Sequence, residues 1–128
     1  GHFDLAVLAF VDLNGDGAYG LSQGKPEPAM AGVDIRPYTD NPPLHFHGPE
    51  DTWLSTLETN QDGYVVFHTL AAGEYVLVGS LQDGYLPTTP LEQWVSWEGG
   101  GQGAVLEFTF GQLQRSAFKY HYIFPLVA

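Results

Sequence analysis

An all-β, antiparallel sandwich is the fold this sequence predicts, and three observations predict it. Short runs of aromatic and β-branched residues recur along the chain, turn-forming residues separate them, and no segment sustains a helical period. The 16 glycines and 9 prolines fall mainly in the gaps as punctuation. Strands are expected at residues 3–11, 32–38, 52–59, 64–69, 75–81, 93–98, 104–110 and 117–127.

The first run, Phe3-Asp4-Leu5-Ala6-Val7-Leu8-Ala9-Phe10-Val11, is apolar on both faces apart from Asp4, so it is expected to be central or covered by a neighbour. Asn60-Gln61-Asp62-Gly63 reads as a hairpin turn with glycine at a positive-φ position, and Gln82-Asp83-Gly84 repeats the device. Residues 39–51, with Pro42, Pro43, His45, His47 and Pro49, read as a long excursion between strands. The glycine-rich stretch at 99–103 reads as a flexible loop.

The 128 residues suit one domain with a real core, since 44% are hydrophobic and 14% aromatic. Fifteen acidic residues against four basic ones give a formal charge of -11, which repels phosphate backbones and anionic membranes and favours cations. Neither nucleic acid nor membrane insertion is expected. Without cysteine there is no disulfide, thiolate metal site or thiol nucleophile. The opening residues lack the layout of an export signal, so any such signal is expected to have been removed.

Directly after the first strand, Asp12-Leu13-Asn14-Gly15-Asp16-Gly17 places oxygen side chains at alternate positions and ends on a glycine. A hard cation needs this arrangement, because alternate side chains point into one concavity and glycine permits the reversal around the ion. An EF-hand is not indicated: the twelfth position is Gln23, and no helical pattern flanks the loop.

This loop, with what surrounds it, resembles the SdrD B-like domains, relatives of the Cna B-type modules of bacterial surface proteins. The matching residues are the strand ending Phe10-Val11, the loop from Asp12 to Gly17, Gly32-Val33, Thr59, Asp62-Gly63-Tyr64, Phe67, Leu70, Gly73-Glu74-Tyr75-Val76, Asp83-Gly84-Tyr85 and Thr88-Thr89. The resemblance covers residues 3–110 and implies a prealbumin-like or Ig-like β-sandwich. It implies bound Ca2+ on Asp12, Asn14, Asp16 and Glu27, with an insertion between Gly17 and Glu27. It also implies an extracellular structural or adhesive role at the bacterial cell surface, not an enzyme. Cna B-type relatives can carry a lysine–asparagine isopeptide bond, but the first strand here has no lysine and the last asparagine is Asn60.

Since that pattern is complete near Phe110, residues 1–112 are taken as the sandwich and 113–128 as a C-terminal strand tail, with 111–116 as a linker. In the tail Phe118, Tyr120, Tyr122, Phe124 and Leu126 alternate with Lys119, His121, Ile123, Pro125 and Val127. Such a face must be buried. It either closes its own sandwich as an additional strand or adds to a neighbouring subunit, in which case the chain self-associates into a homopolymer.

Other constellations point less far. His45 and His47 lie near Glu50 and Asp51 and could chelate a transition metal if extended, but no third histidine is placed with them. Trp94 and Trp97 suggest a carbohydrate-binding module, yet a spacing of three puts them on opposite faces of a strand. Trp53 and Tyr85 read as core or interface anchors. No G-x-S-x-G, H-E-x-x-H or phosphate loop is present.

Overall fold

A computed structural model describes residues 2–22, 24–99 and 104–115. In chain order the strands are β1 (His2–Val11), β2 (Leu21–Ser22), β3 (Lys25–Pro26), β4 (Asp34–Thr39), β5 (Thr52–Trp53), β6 (Leu57–Glu58), β7 (Tyr64–Ala71), β8 (Gly73–Gly79), β9 (Tyr85–Pro87), β10 (Glu92–Trp97) and β11 (Ala104–Gln114). One sheet runs β7-β1-β11-β9 and the facing sheet β10-β8-β4-β5, with β6 also on β4. The all-β sandwich is therefore the observed architecture. Its one departure from antiparallel pairing is β1 with β11, which run parallel from Phe3↔Ala104 to Val11↔Gln112.

β1 is central, as its two apolar faces require. Phe3, Leu5, Val7 and Ala9 enter the space between the sheets and meet Ile35, Leu77, Val95 and Phe110, all essentially inaccessible to solvent. Each such large side chain contributes roughly 1.5–3 kcal/mol on burial. Ring contacts tie the layers together: Phe3 lies 5.7 Å from both Tyr75 and Trp97.

Both predicted turns form. Gly63 N–H donates to Asn60 O while Asn60 Oδ1 accepts from Asp62 and Tyr64, and Gly63 takes the positive φ that this closure needs. Tyr85 N–H closes the second turn on Gln82 O.

Two features differ from the sequence expectation. The strand expected at 52–59 is two short pieces on β4, because Pro37 faces them and has no N–H to give. Only its carbonyl is used, accepting from Leu54, and the ladder breaks there. β9 was not anticipated. It has three residues, too few for an alternation to register, and ends at Pro87. Between Gly17 and Glu27 the chain forms the β2-β3 hairpin.

The expected linker at 111–116 is in its first half strand: β11 continues through Gly111 to Gln114, paired with β9 at Gln112–Gln114. Gly111 is there for close approach, not flexibility, since a Cβ would sit 2.6 Å from the Phe10 ring and 2.7 Å from Thr88 Oγ1. Gln112 is 1% exposed. Its amide donates to Ser80 O and accepts from Gln82 N–H, both at 2.9 Å, which staples the β8-β9 connection to β11. The tail residues Phe118, Tyr120, Tyr122, Phe124 and Leu126 lie outside the described residues.

Gln112→Leu leaves the Ser80 carbonyl and the Gln82 N–H without partners in the interior. A loss of about 2–4 kcal/mol is expected from two unpaired groups. Urea unfolding with an unchanged m-value checks it, and a loss below about 0.5 kcal/mol would remove the staple from the account.

Candidate cation loop and the surrounding surfaces

Where β1 ends, its direction and that of β11 fix the loop. Asp12 N–H donates to Gln112 O at 2.7 Å, so the last parallel rung hands the chain directly into the loop. Asp12 itself is fully buried, and both carboxylate oxygens accept backbone N–H groups, Oδ1 from Gly15 at 3.1 Å and Oδ2 from Gly17 at 2.7 Å. Gly15 and Gly17 have positive φ, which aims those N–H groups inward. Asn14 Oδ1 accepts from Asp16 N–H at 3.3 Å, and Asp16 Oδ1 accepts from Ala18 N–H at 3.0 Å.

The β2-β3 hairpin returns Glu27 to this loop. Glu27 is 2% exposed and its carboxylate ties both ends together, accepting from Leu13 N–H at 2.8 Å and Gly20 N–H at 3.0 Å. Carboxylate oxygens of Asp12, Asp16 and Glu27 all lie within 4.8 Å of one another. Three of the four sequence-predicted ligands thus converge, while Asn14 is engaged with the loop backbone at the exposed tip. Among the described residues no ion pair reaches this cluster; the recorded pairs are Arg36–Asp34, His47–Asp51 and His68–Asp4. Two buried carboxyl groups face a third, and among the described residues N–H groups but no basic side chain meet them; an all-oxygen donor set of this kind fits a hard cation.

Burial alone would raise the Asp12 carboxyl. The Thr88 hydroxyl, the Gly17 N–H, the Glu27 carboxyl and the Asp16 N–H outweigh it and hold Asp12 below the ordinary 3.8. Of these the Gly17 N–H is the firmest, because buried Thr88 Oγ1 forms no well-shaped hydrogen bond. Thr88 was not singled out as a site residue, and its sequence gives no signal beyond its place in the Thr88-Thr89 pair.

Among the described residues, His45 and His47 turn to different partners. His47 Nδ1 pairs with Asp51 Oδ2 at 2.9 Å and stacks edge-on against Tyr38, whereas His45 turns to Trp94. Burial would raise the Asp51 carboxyl, but His47 and the N–H groups of Asn41 and Gly48 more than offset it and lower its pKa. The two tryptophans of β10 do point apart, Trp97 inward onto Phe3 and Trp94 outward beside His45. They form no shared flat platform.

No protein-family model matches this chain, and no curated protein does. Among solved structures, the shaft pilin SpaA from Lactobacillus rhamnosus GG superposes with a TM-score of 0.63 at 14% identity, over 90% of this chain and 52% of that one. The fold is that of a pilin β-sandwich domain. The Streptococcal ancillary pilin matches at 0.59 and 14% identity, over 88% of this chain and 32% of its own. The Corynebacterium diphtheriae major pilin SpaA matches at 0.57 and 15%, over 86% and 30%. This chain therefore spans about half the length of the first pilin and about a third of the other two. Isopeptide bonds figure in the description of the Corynebacterium pilin; here the adjacent strands β1 and β11 contain no lysine and no asparagine.

A carboxyl with a lowered pKa stabilises the fold above its unfolded value, and that contribution disappears as pH falls through the folded one. In cation-free buffer the melting temperature is therefore expected to drop as pH falls below about 3.8, the ordinary value for Asp12. In Asp12→Asn the drop should be shallower. Calorimetry from pH 6 to pH 2 gives the comparison, and parallel curves would show that Asp12 adds no pH dependence.

Proposed function

We propose that the chain is an extracellular structural module, a subunit of a cell-surface filament or adhesive stalk, stabilised by Ca2+ at Asp12, Asn14, Asp16 and Glu27 and assembled by strand donation. The observation that carries the structural reading is the superposition on a shaft pilin over 90% of the chain. Strand donation is supported by the alternating aromatic sequence Phe118, Tyr120, Tyr122, Phe124 and Leu126, which follows a strand already anchored on both sides at Gln112. Calcium is supported by the convergence of Asp12, Asp16 and Glu27. Backbone N–H groups already cradle Asp12, so the loop is preorganised as an anion and the ion adds stability without having to build the site.

A chelator is expected to lower the melting temperature, and calcium at one hundred times its Kd to restore about 2.7 kcal/mol. Asp12→Ala, which also leaves the Gly15 and Gly17 N–H groups without their acceptor, should melt at or below the chelated temperature and show no response to the ion. Identical melting of both proteins under both conditions would remove calcium from the function.

Truncation after Gln114 addresses assembly. If the tail is donated, the shortened chain folds, fails to form filaments, and binds a synthetic peptide of residues 115–128. Filaments formed normally by the shortened chain would end the donation reading. Steep destabilisation independent of protein concentration would instead show that the tail closes its own domain.

A further inference from the structure

Along the β7-β1-β11-β9 sheet, β11 is only partly flanked. β1 covers one side throughout, but on the other β9 covers only Gln112–Gln114. Backbone groups of successive strand residues alternate between the two sides. Gln112 O faces β1, where it accepts from Asp12, while Gly111 O accepts from Thr88 and Arg115 N–H donates to Gly84 on the opposite side. Val105, Glu107 and Thr109 share that opposite side. The Thr109 carbonyl is met there by Gln93 Nε2 at 2.9 Å. Among the described residues, the N–H and C=O groups of Val105 and Glu107 have no partner on that side.

The core is also incomplete here. Leu106 and Phe108 point inward beside this edge but are only partly buried, as is Trp97. Trp97 lies at the Phe3 end of the gap, where Phe3 pairs with Ala104, and its indole N–H is buried with no partner among the described residues. A strand laid along residues 105–109 would close the sheet and cover these side chains.

We propose that residues 118–126 of one copy add as a strand to the open edge of β11, residues 105–109, of a second copy, with the aromatic face over Leu106, Phe108 and Trp97. This rests on the strand-donation reading and names its acceptor. Charge agrees: all 15 acidic residues precede the tail, which carries Lys119 and His121 on the face opposite its aromatics, the face that would lie alongside exposed Glu107. Length agrees: the seven residues from Phe118 to Phe124 are enough to span the five-residue edge before Pro125, which cannot donate to a ladder.

A second copy is favoured because the chain's own tail starts in the wrong place. Arg115 is held at Gly84, beyond the flank that β9 occupies. From there back to Thr109 is about 20 Å of strand, whereas the residues from Arg115 to Phe118 span only about 10 Å. Returning in the same chain would spend Phe118 and Tyr120 on crossing β9. Donation to the next copy uses the whole face and, being head-to-tail, leaves an open edge for the copy after it.

The chain has no cysteine, so disulfide trapping reads the contact directly. Full-length Glu107→Cys is mixed, under mild oxidation, with full-length Lys119→Cys, His121→Cys or Ile123→Cys, three positions on the same face of the tail. Ser96→Cys, on the neighbouring β10, serves as the control acceptor. At least one tail position is expected to give disulfide-linked pairs with Glu107→Cys at several times the yield seen with Ser96→Cys. Equal yields, or trapping at Ser96→Cys alone, would overturn the β11 acceptor. Donation itself would survive that result if truncation after Gln114 still abolished filaments. Closure within one chain of a Glu107→Cys/Lys119→Cys double variant at high dilution would overturn the second copy as the occupant.

Discussion

β1 is clamped on both edges, and the rest of the molecule is arranged around that clamp. Its parallel pairing with β11 runs from Phe3↔Ala104 to Val11↔Gln112, and its antiparallel pairing with β7 from His2↔Ala71 to Leu8↔Tyr64. A strand so enclosed can afford apolar side chains on both faces. One row fills the space between the sheets, where Phe3 meets Tyr75 and Trp97. A parallel neighbour cannot come from a hairpin, so β11 has to return from the far end of the chain. That return ends β11 at Gln114 and holds Arg115 at Gly84, next to β9.

The acidic loop inherits its position from the same clamp. The Asp12 N–H bonded to Gln112 O starts the loop at a fixed point, and the β2-β3 hairpin brings Glu27 back to it. Buried carboxylates without a base are costly unless something positive lies near. Here part of that charge is met by the N–H groups of Leu13, Gly15, Gly17 and Gly20. The loop is thus a rigid pocket of oxygen atoms on a rigid strand end, the condition under which a cation can bind without first ordering the chain.

Open sheet edges invite uncontrolled pairing, and this molecule treats its edges unequally. The β4 ladder is cut into two short pieces at Pro37, and β9 is only three residues long. Among the described residues, β11 has a longer unpaired stretch beside half-covered Leu106 and Phe108. A formal charge of -11 discourages random association of like copies.

The sequence by itself determined the class of fold, the central first strand, the Asn60–Gly63 turn and the oxygen-rich loop from Asp12 to Asp16, because each depends on local chemistry: apolar runs, turn residues, or oxygens spaced two apart. That Glu27 comes to lie beside Asp12 and Asp16 depends on the β2-β3 hairpin. Tertiary structure decided what depends on a distant partner. Gly111 looked like the start of a linker and is a strand residue because Phe10 crosses it, and residues 52–59 looked like one strand but face Pro37. Thr88 comes to lie beside Asp12, and β9 pairs with β11 only at Gln112–Gln114, because β9 is short and ends where it does. None of these follows from a window of sequence, since packing against residues tens of positions away sets them.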